Sequence, residues 1–327
     1  QKVLVEGKSS TSEPVLSGVP QGTVLGPLLF LIYINDMPEG LTNGTSLTLR
    51  LFADDSLLYR TITTEKDSQI LQNDLNRLQN WERSWKMEFH PQKCQVIRIT
   101  HKKNIIKSQY FIHNTQLDET DSAKYLGITI DNNLNWNSHI NYVSGKANKT
   151  LAFIRRNLSS CPKHVKKQCY DTYVRPITDY CSSVWDPITK KNIQRVENVQ
   201  RRAARFVLNN YDYRSGSVTK MLQDLNWVPL EERRARSKVL LVHRAINGNI
   251  KIPLDDFRVN NTSNTRSAGI SYAIPRSRTN THLMSFYPSS IRLWNALPEN
   301  KKHGSLEQLK SSLDGITLRA RYAVLTE

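Results

Sequence analysis

Two adjacent carboxylates, Asp54 and Asp55, are the side chains of this sequence best placed to do chemistry. They follow Phe52-Ala53 and stand between two apolar stretches. Neighbouring carboxylates on a tight turn can hold Mg²⁺, which prefers a few oxygen ligands and keeps several of its waters. An ordinary surface turn is the alternative interpretation, because aspartate favours turns through hydrogen bonds to its own backbone.

The flanking residues indicate the element that positions this pair. Before it, leucines at 47, 49 and 51 alternate with Thr48 and Arg50, which is the period of a half-buried strand. After it, residues 57–59 begin a second apolar run. The sequence therefore predicts a β-hairpin that carries Asp54 and Asp55 at its tip, where a sheet can hold them rigidly.

A glycine-rich block precedes the hairpin. Residues 17–30 read SGVPQGTVLGPLLF, with glycine at every fourth position from Gly18 to Gly26. Such glycines favour turns or close helix packing, and they also let the backbone approach a ligand. Gly26-Pro27 is typical of a helix start, and Met37-Pro38 of a helix end.

The glycine-rich block, Phe52-Ala53-Asp54-Asp55 and the spacing between them together resemble the reverse transcriptases of non-LTR retrotransposons (LINE-like elements). The resemblance implies RNA-directed DNA synthesis from the 3′ hydroxyl of a DNA primer, with an RNA template and deoxynucleoside triphosphates. It also implies that Asp54 and Asp55 are catalytic and bind metal. Two Mg²⁺ (or Mn²⁺) ions would serve the complete enzyme.

Further site residues follow from the same resemblance. Lys93 would be the general acid that protonates the pyrophosphate leaving group. Contacts to the nucleotide and template would come from Pro20, Gln21 and Gly22. The primer grip would be Tyr125, Leu126 and Gly127, on a single strand over 124–131 that ends at a turn at 131–133. A strand is also predicted over 96–99.

The charge of the chain points to a polyanionic partner. Net charge is +17, and residues 138–210 hold fourteen basic and four acidic residues. Nucleic acid is the first candidate and an anionic membrane surface the second. The predicted contacts to the nucleic-acid backbone are Lys190, Lys191, Arg195, Arg201, Arg202 and Arg205. A solvated helix face is the alternative for these six cations.

Cysteine use and hydropathy exclude some classes of protein. None of the four cysteines forms a C-x-x-C pair, which favours free thiols in a reducing compartment. A zinc site from Cys161, His164, Cys169 and Cys181 has unusual spacing, so buried thiols are preferred. No signal peptide or membrane span is expected. We therefore expect an intracellular protein, in the nucleus or cytoplasm; protein partners stay unknown.

The predicted fold class is α+β. Residues 1–135 would form an incomplete right-hand polymerase palm, an antiparallel sheet with packed helices. Residues 136–210 would form an α-helical thumb, and 211–327 a helical and partly disordered C-terminal region. Apolar periodicity predicts helices near 65–86, 138–157, 162–180 and 188–208.

The resemblance also implies an incomplete site. In the family a further aspartate comes from a strand before the glycine-rich block, together with the fingers, and no carboxylate of residues 1–16 replaces it. We therefore expect a C-terminal fragment that is inactive alone. Two alternatives stay open: a nucleic-acid-binding remnant of a decayed element, and a protein like the group II intron maturases.

Overall fold

The computed structural model describes residues 2–14, 18, 22–38, 47–252, 271–314 and 316–318. The chain divides into two compact units, Gln1–Asn133 and Leu134–Glu327. Among the described residues, no helix is long and apolar enough to cross a membrane. Residues 253–270 of the C-terminal region that was predicted to be partly disordered lie outside the described residues.

The first unit combines short strands with two helices. Its helices are α1 (Gly26–Ile34) and α2 (Glu65–Trp85). Its strands are β1 (Leu4–Val5), β2 (Lys8–Ser9), β3 (Thr48–Phe52), β4 (Asp55–Tyr59), β5 (Gln95–Val96), β6 (Phe111–Ile112), β7 (Thr115–Gln116), β8 (Asp118–Glu119), β9 (Ser122–Tyr125) and β10 (Ile128–Asp131).

The strands of the first unit do not form the single antiparallel sheet that was predicted. In the described residues they pair only two by two, and the pair β5–β8 is parallel. Six of these ten strands are only two residues long. The mixed α and β character of the prediction is confirmed, and its division into palm and thumb stays a prediction.

Helix α2 is the central element of this unit, and its predicted apolar stripe is confirmed. Leu75 and Leu78 are buried and share a core with Leu47 and Leu49 of the carboxylate hairpin. A capping box between Thr64 and Asp67 starts the helix. Trp81 packs against the same core, and the buried Glu82 accepts a 2.7 Å hydrogen bond from the amide of Phe89.

The strand predicted over 96–99 is largely wrong. Only Gln95–Val96 pairs, because Arg98 takes other partners. Its guanidinium donates to the carbonyl oxygens of Ile106 and Ser108 at 2.7 and 2.6 Å and also bonds Glu119. These side-chain bonds replace the ladder that the alternating sequence suggested.

The second unit is helical. Its helices are α3 (Asn137–Asn157), α4 (Lys163–Cys169), α5 (Arg175–Asp179), α6 (Lys190–Leu208), α7 (Ser217–Asp224), α8 (Leu230–Ile246), α9 (Asn280–Leu283), α10 (Phe286–Asn295), α11 (Glu299–Lys302) and α12 (Leu306–Ser312). The helix predicted over 162–180 is present in three parts, because the π-helical segment Tyr170–Val174 lies between α4 and α5.

Helices α3 and α6 lie side by side and run in the same direction. Their buried faces contribute Ala147, Leu151, Val199 and Ala203 to one core, which continues past residue 210 to Trp227. A second core lies between α8 and α10 and includes Val239, Val242 and Trp294.

A buried ionic cluster joins α8 to the segment before α6. Asp186 accepts from Arg234 at 2.7 Å and from Lys238 at 2.9 Å, and Lys238 also donates to the Ser289 hydroxyl at 2.8 Å. All four residues are buried. Buried charges need such partners, since an uncompensated charge in the protein interior is costly.

Candidate functional site

The predicted carboxylate hairpin is present. Strands β3 and β4 pair antiparallel from Thr48↔Tyr59 to Phe52↔Asp55. Ala53 and Asp54 therefore form a two-residue loop, in which Ala53 has a left-handed φ of 50°. Asp54 and Asp55 are both exposed, so the tip presents two carboxylates to solvent.

The base of this hairpin is fixed to α2. Arg60, which follows β4, donates from Nη2 to Oδ2 of Asp74 on α2 at 3.0 Å. The two side chains are 4% and 0% exposed. With Leu49 buried in the core of the same unit, this ion pair holds the hairpin at one end while its tip stays free.

The segment predicted as the primer grip forms a second hairpin, which corrects the prediction of one strand over 124–131. Strands β9 and β10 pair from Tyr125↔Ile128 to Ser122↔Asp131. Leu126 and Gly127 form the loop, with φ values of 45° and 80°. Positive φ at both loop residues is the two-residue turn that matches the twist of paired strands. The sequence signal was Gly127, which tolerates that conformation.

The two hairpins are electrostatically linked. Burial raises the pKa of the Tyr125 hydroxyl, and the Asp55 carboxylate raises it further. A negative charge disfavours the tyrosinate, which is the physical reason for this second contribution. The charge of Asp55, one of the expected catalytic pair, therefore acts on Tyr125 of the expected primer grip.

The structure gives less information on the other predicted site residues of the first unit. Pro20 and Gln21 lie outside the described residues. Gly22 is exposed, with a positive φ of 77° that favours glycine. Lys93 is exposed at the end of a single 3₁₀ turn, Pro91–Lys93.

The carboxylate tip fits a metal that keeps most of its waters. In the part of the chain that the structure describes, no group of three or more His, Cys, Asp or Glu side chains could hold a metal ion. That finding includes the four side chains of the possible zinc site, which are not gathered into one. Asp54 and Asp55 offer two carboxylates, a donor set suited to Mg²⁺ bound with waters and substrate phosphates.

The six predicted backbone-contacting cations of α6 fall into different environments. Lys191, Arg195 and Arg202 line a groove of about 540 Å³ between α6 and α3. Lys190 and Arg201 are exposed and do not line it. Arg205 lies over the ring of Tyr213, 4.3 Å from its centroid.

Amide side chains of α3 form the other wall of this groove, and the sequence interpretation missed them. Asn141 and Asn148 line it with Ser144 and Gly145, one or two turns apart. The available signal was composition, because residues 137–157 contain no aspartate or glutamate. Polar residues at these intervals share one helix face.

The four carboxylates of residues 138–210 all have partners outside the groove. Asp171 pairs with Arg175, Asp179 with Arg233, and Asp186 with Arg234 and Lys238. Glu197 accepts from the amides of Leu230 and Glu231. Burial raises the pKa of Glu197, and Arg234 and these amides oppose that shift. The groove is therefore lined by cations and neutral polar groups.

Comparison with known proteins gives a consistent family. Residues 3–130 match the family model described as reverse transcriptase (RNA-dependent DNA polymerase). A probable RNA-directed DNA polymerase from transposon BS of Drosophila melanogaster is 30% identical over 250 residues, which are 72% of this chain and 27% of that protein. No solved structure matches the chain.

Two further relatives have similar names. A probable RNA-directed DNA polymerase from transposon X-element of Drosophila melanogaster is 28% identical over 66% of this chain and 25% of its own length. The RNA-directed DNA polymerase from mobile element jockey of the same organism is 24% identical over 63% of this chain and 23% of its own. The chain spans about a quarter of the length of these curated relatives.

Proposed function

Because the chain belongs to the LINE-like reverse transcriptases, we propose that it supplies the carboxylate hairpin and a nucleic-acid surface of an RNA-directed DNA polymerase. The substrates would be an RNA template, a DNA primer and deoxynucleoside triphosphates. The observation that carries this proposal is the exposed pair Asp54 and Asp55 at the tip of an anchored hairpin, with the charge of Asp55 acting on Tyr125.

Asp54 and Asp55 would hold the divalent metal, Mg²⁺ or Mn²⁺, of which the complete enzyme would use two. When bound, such ions stabilise charge on the attacking and leaving oxygens of the phosphoryl transfer. The protein contributes position, since the Arg60–Asp74 ion pair fixes the hairpin base and leaves the carboxylates exposed. Asp54 would be the direct ligand, and Asp55 would assist it.

Other residues of the first unit would orient the reactants. Tyr125, Leu126 and Gly127 would hold the primer end, because they meet at one turn and the charge of Asp55 acts on Tyr125. Lys93 would give a proton to the departing pyrophosphate, for which an exposed ammonium group is suited. Pro20, Gln21 and Gly22 would contact the nucleotide and the template.

In this proposal residues 1–135 are a partial palm, 136–210 a thumb and 211–327 a C-terminal region. The backbone of the nucleic acid would meet Lys190, Lys191, Arg195, Arg201, Arg202 and Arg205. Lys191, Arg195 and Arg202 are the strongest candidates, because they share a groove without a carboxylate in its described lining. A nuclear or cytoplasmic location stays a prediction.

We propose further that the 327-residue chain alone does not extend a primer. Two metal ions need more ligands than two carboxylates, and the described residues offer no third side chain in the same cluster. The nucleic-acid groove lies in the second compact unit and does not depend on those ligands. Nucleic-acid binding without synthesis is therefore the second candidate function of this chain.

Primer extension on an RNA template with Mg²⁺ and four nucleotides tests the proposal, with Asp54→Asn as the comparison. We expect no extension but salt-sensitive binding of the primer–template. Extension that disappears in Asp54→Asn would confirm the polymerase function and overturn the claim of an incomplete site. Extension that persists in Asp54→Asn, or absence of binding, would contradict the proposed function.

Metal binding provides an independent measurement. A titration with Mn²⁺ followed by electron paramagnetic resonance should show weak binding that Asp54→Asn removes. Asp118→Asn is the matched control, because Asp118 is an exposed carboxylate on β8 outside the hairpin. Equal loss of Mn²⁺ binding in both variants would indicate general charge attraction and would argue against a site at the tip.

A further inference from the structure

A second cavity continues the line of the α3/α6 groove. This cavity, of about 370 Å³, lies toward the C-terminal ends of the same two helices. On α3 the residues lining the two cavities include Asn141, Gly145, Asn148, Ala152 and Arg156, and Ser159 follows just after the helix ends. Each of the five helical residues is three or four positions after the one before it, so they lie on one face of the helix.

The same pattern holds on α6. The residues lining the two cavities there include Lys191, Arg195, Asn198, Arg202 and Phe206, and the cap residue Asn209 follows at the end of the helix. Because α3 and α6 are parallel and adjacent, the two faces form one continuous track. At about 1.5 Å per residue, the helical stretch from Asn141 to Arg156 is ~23 Å long.

The dimensions of the track favour one strand over two. Packed helices have axes about 8–10 Å apart, so the furrow between them is too narrow to admit a duplex. An extended single strand can lie in such a furrow, as single strands do in the positively charged grooves of other proteins.

The chemistry of the track suits a sugar–phosphate chain with unpaired bases. The second cavity adds Arg155, Arg156 and Lys166 to the three cations of the first. Lys166 is itself held in place, because its Nζ lies 5.0 Å from the centre of the Phe206 ring. Between the cations stand amides such as Asn141 and Asn198, which can both donate to and accept from base edges.

The first cavity has open space at Gly145. A Cβ added to this glycine would meet no atom within 4 Å. The neighbouring Ser144 also lines the cavity, and its small side chain is 3% exposed. The α3 side of the cavity therefore leaves room for a bound chain.

An exposed aromatic ring stands at the far end of the track. Tyr211 lines the second cavity with Arg155 and Arg156, and it is 47% exposed. Aromatic rings beside cations are how proteins hold unpaired bases without reading their sequence, by stacking on the base while the cations meet the phosphates.

We propose that the track formed by α3 and α6 binds a single strand of nucleic acid, with phosphates along Lys191, Arg195, Arg202, Arg155 and Arg156 and a base stacked on Tyr211. This inference rests on the nucleic-acid role proposed above and adds the strand state and the path. Single-stranded RNA and DNA share the recognised chemistry, and the measurements below separate them.

Filling the furrow without changing its charge tests the path. Gly145→Leu places a side chain in the open space, and Gly145→Ala is the matched control that leaves most of it free. Both changes favour the helix, because glycine is a poor residue in a helix interior. Fluorescence anisotropy with labelled single-stranded RNA, single-stranded DNA and duplex RNA would be measured on the whole chain.

We expect Gly145→Leu to weaken binding of the single strands at least 10-fold relative to Gly145→Ala, with thermal stability unchanged or higher. Duplex binding should be weaker than single-strand binding and insensitive to the change. Equal single-strand affinity for the two variants, or a parent chain that prefers duplex, would overturn the proposal. The ratio of RNA to DNA affinity identifies which strand the track prefers.

The stacking position has its own pair of variants. Tyr211→Ala should weaken single-strand binding about 5- to 100-fold, the effect of losing one stacked base, and Tyr211→Phe should restore it. Phe153→Ala is the control, since it removes an exposed ring of α3 that lines neither cavity. An equal effect of Phe153→Ala and Tyr211→Ala would contradict a stacked base at Tyr211.

Asp54→Asn separates this inference from the polymerase proposal. It should leave single-strand binding at the parent level, because Asp54 lies in the first unit and lines neither cavity. Normal binding by all track variants, with metal binding at Asp54 intact, would refute the track and keep the catalytic hairpin. If the parent chain does not bind metal but the track variants weaken single-strand binding as expected, the catalytic hairpin is refuted and the track is kept.

Discussion

Arg202 of α6 donates a hydrogen bond from Nη1 to Oδ1 of Asn148 on α3, across 2.9 Å. Ten residues earlier on α6, Asn192 donates to Asn137 at 2.6 Å. The two bonds join positions with nearly the same sequence separation, so they fix the parallel alignment of the helices. That alignment places the cations of α6 opposite the amides of α3.

The three cations in the groove should determine how binding responds to salt. Changing Lys191, Arg195 and Arg202 to Gln should reduce the slope of log affinity against log salt by about 2, since each phosphate contact to a single strand contributes about 0.7. The control changes Lys146, Lys149 and Lys163, which do not line the groove. A similar reduction for both triple variants would show that total charge, and no particular groove, controls binding.

The buried ion pair between Arg60 and Asp74 should be needed for the stability of the first unit. Asp74→Asn leaves a buried guanidinium without its carboxylate, and breaking such a pair costs about 3–5 kcal/mol. Urea denaturation measures this loss. Arg77→Met is the comparison, because Arg77 contacts the same carboxylate at 3.3 Å with a side chain that is 50% exposed. We expect Arg77→Met to lower the free energy of unfolding by less than about 1 kcal/mol. Equal losses for Asp74→Asn and Arg77→Met would contradict the larger contribution of the buried pair.

Leu126 is strained in the turn of the second hairpin. Its φ of 45° costs a leucine roughly 1–2 kcal/mol, whereas asparagine adopts this conformation readily. Leu126→Asn should therefore raise the free energy of unfolding by about 1 kcal/mol in urea. Leu126→Ala keeps the backbone cost and should give no gain. A gain of equal size in both variants would rule out backbone strain as the cause.

The capping box of α2 should make stability depend on pH. The pKa of Asp67 lies well below its usual value, first because the Thr63 hydroxyl donates to it, then because the amides of Thr63 and Thr64 do. A lowered pKa in the folded state means that this stabilisation is complete above the unfolded value near 4 and is lost as pH falls below it.

Asp67→Asn should therefore lower the thermal midpoint at pH 7, and the difference from the parent should shrink as the pH approaches 2. Glu65→Gln is the control, a first-turn carboxylate that takes no part in the capping box. A difference between Asp67→Asn and the parent that stays constant over this range would disprove the linkage.

The sequence by itself determined the local elements. Apolar periodicity predicted α2 and α3 within a residue or two, and alternation around Asp54 and Asp55 predicted their hairpin. These elements depend on residues only a few positions apart in the sequence. Their hydrogen bonding and the spacing of their apolar side chains can therefore be recognised in the sequence. The sequence alone also showed the concentration of positive charge in residues 138–210.

Only the tertiary structure decided which distant residues meet. Asn148 and Arg202 carry no sequence signal for each other, because their alignment comes from packing and from cross-helix hydrogen bonds. The turn at Leu126 was mistaken for continuous strand, since alternation does not reveal a reversal. Gly145 and Ser144 gain meaning only as the floor of a groove, which exists because two helices distant in sequence pack side by side.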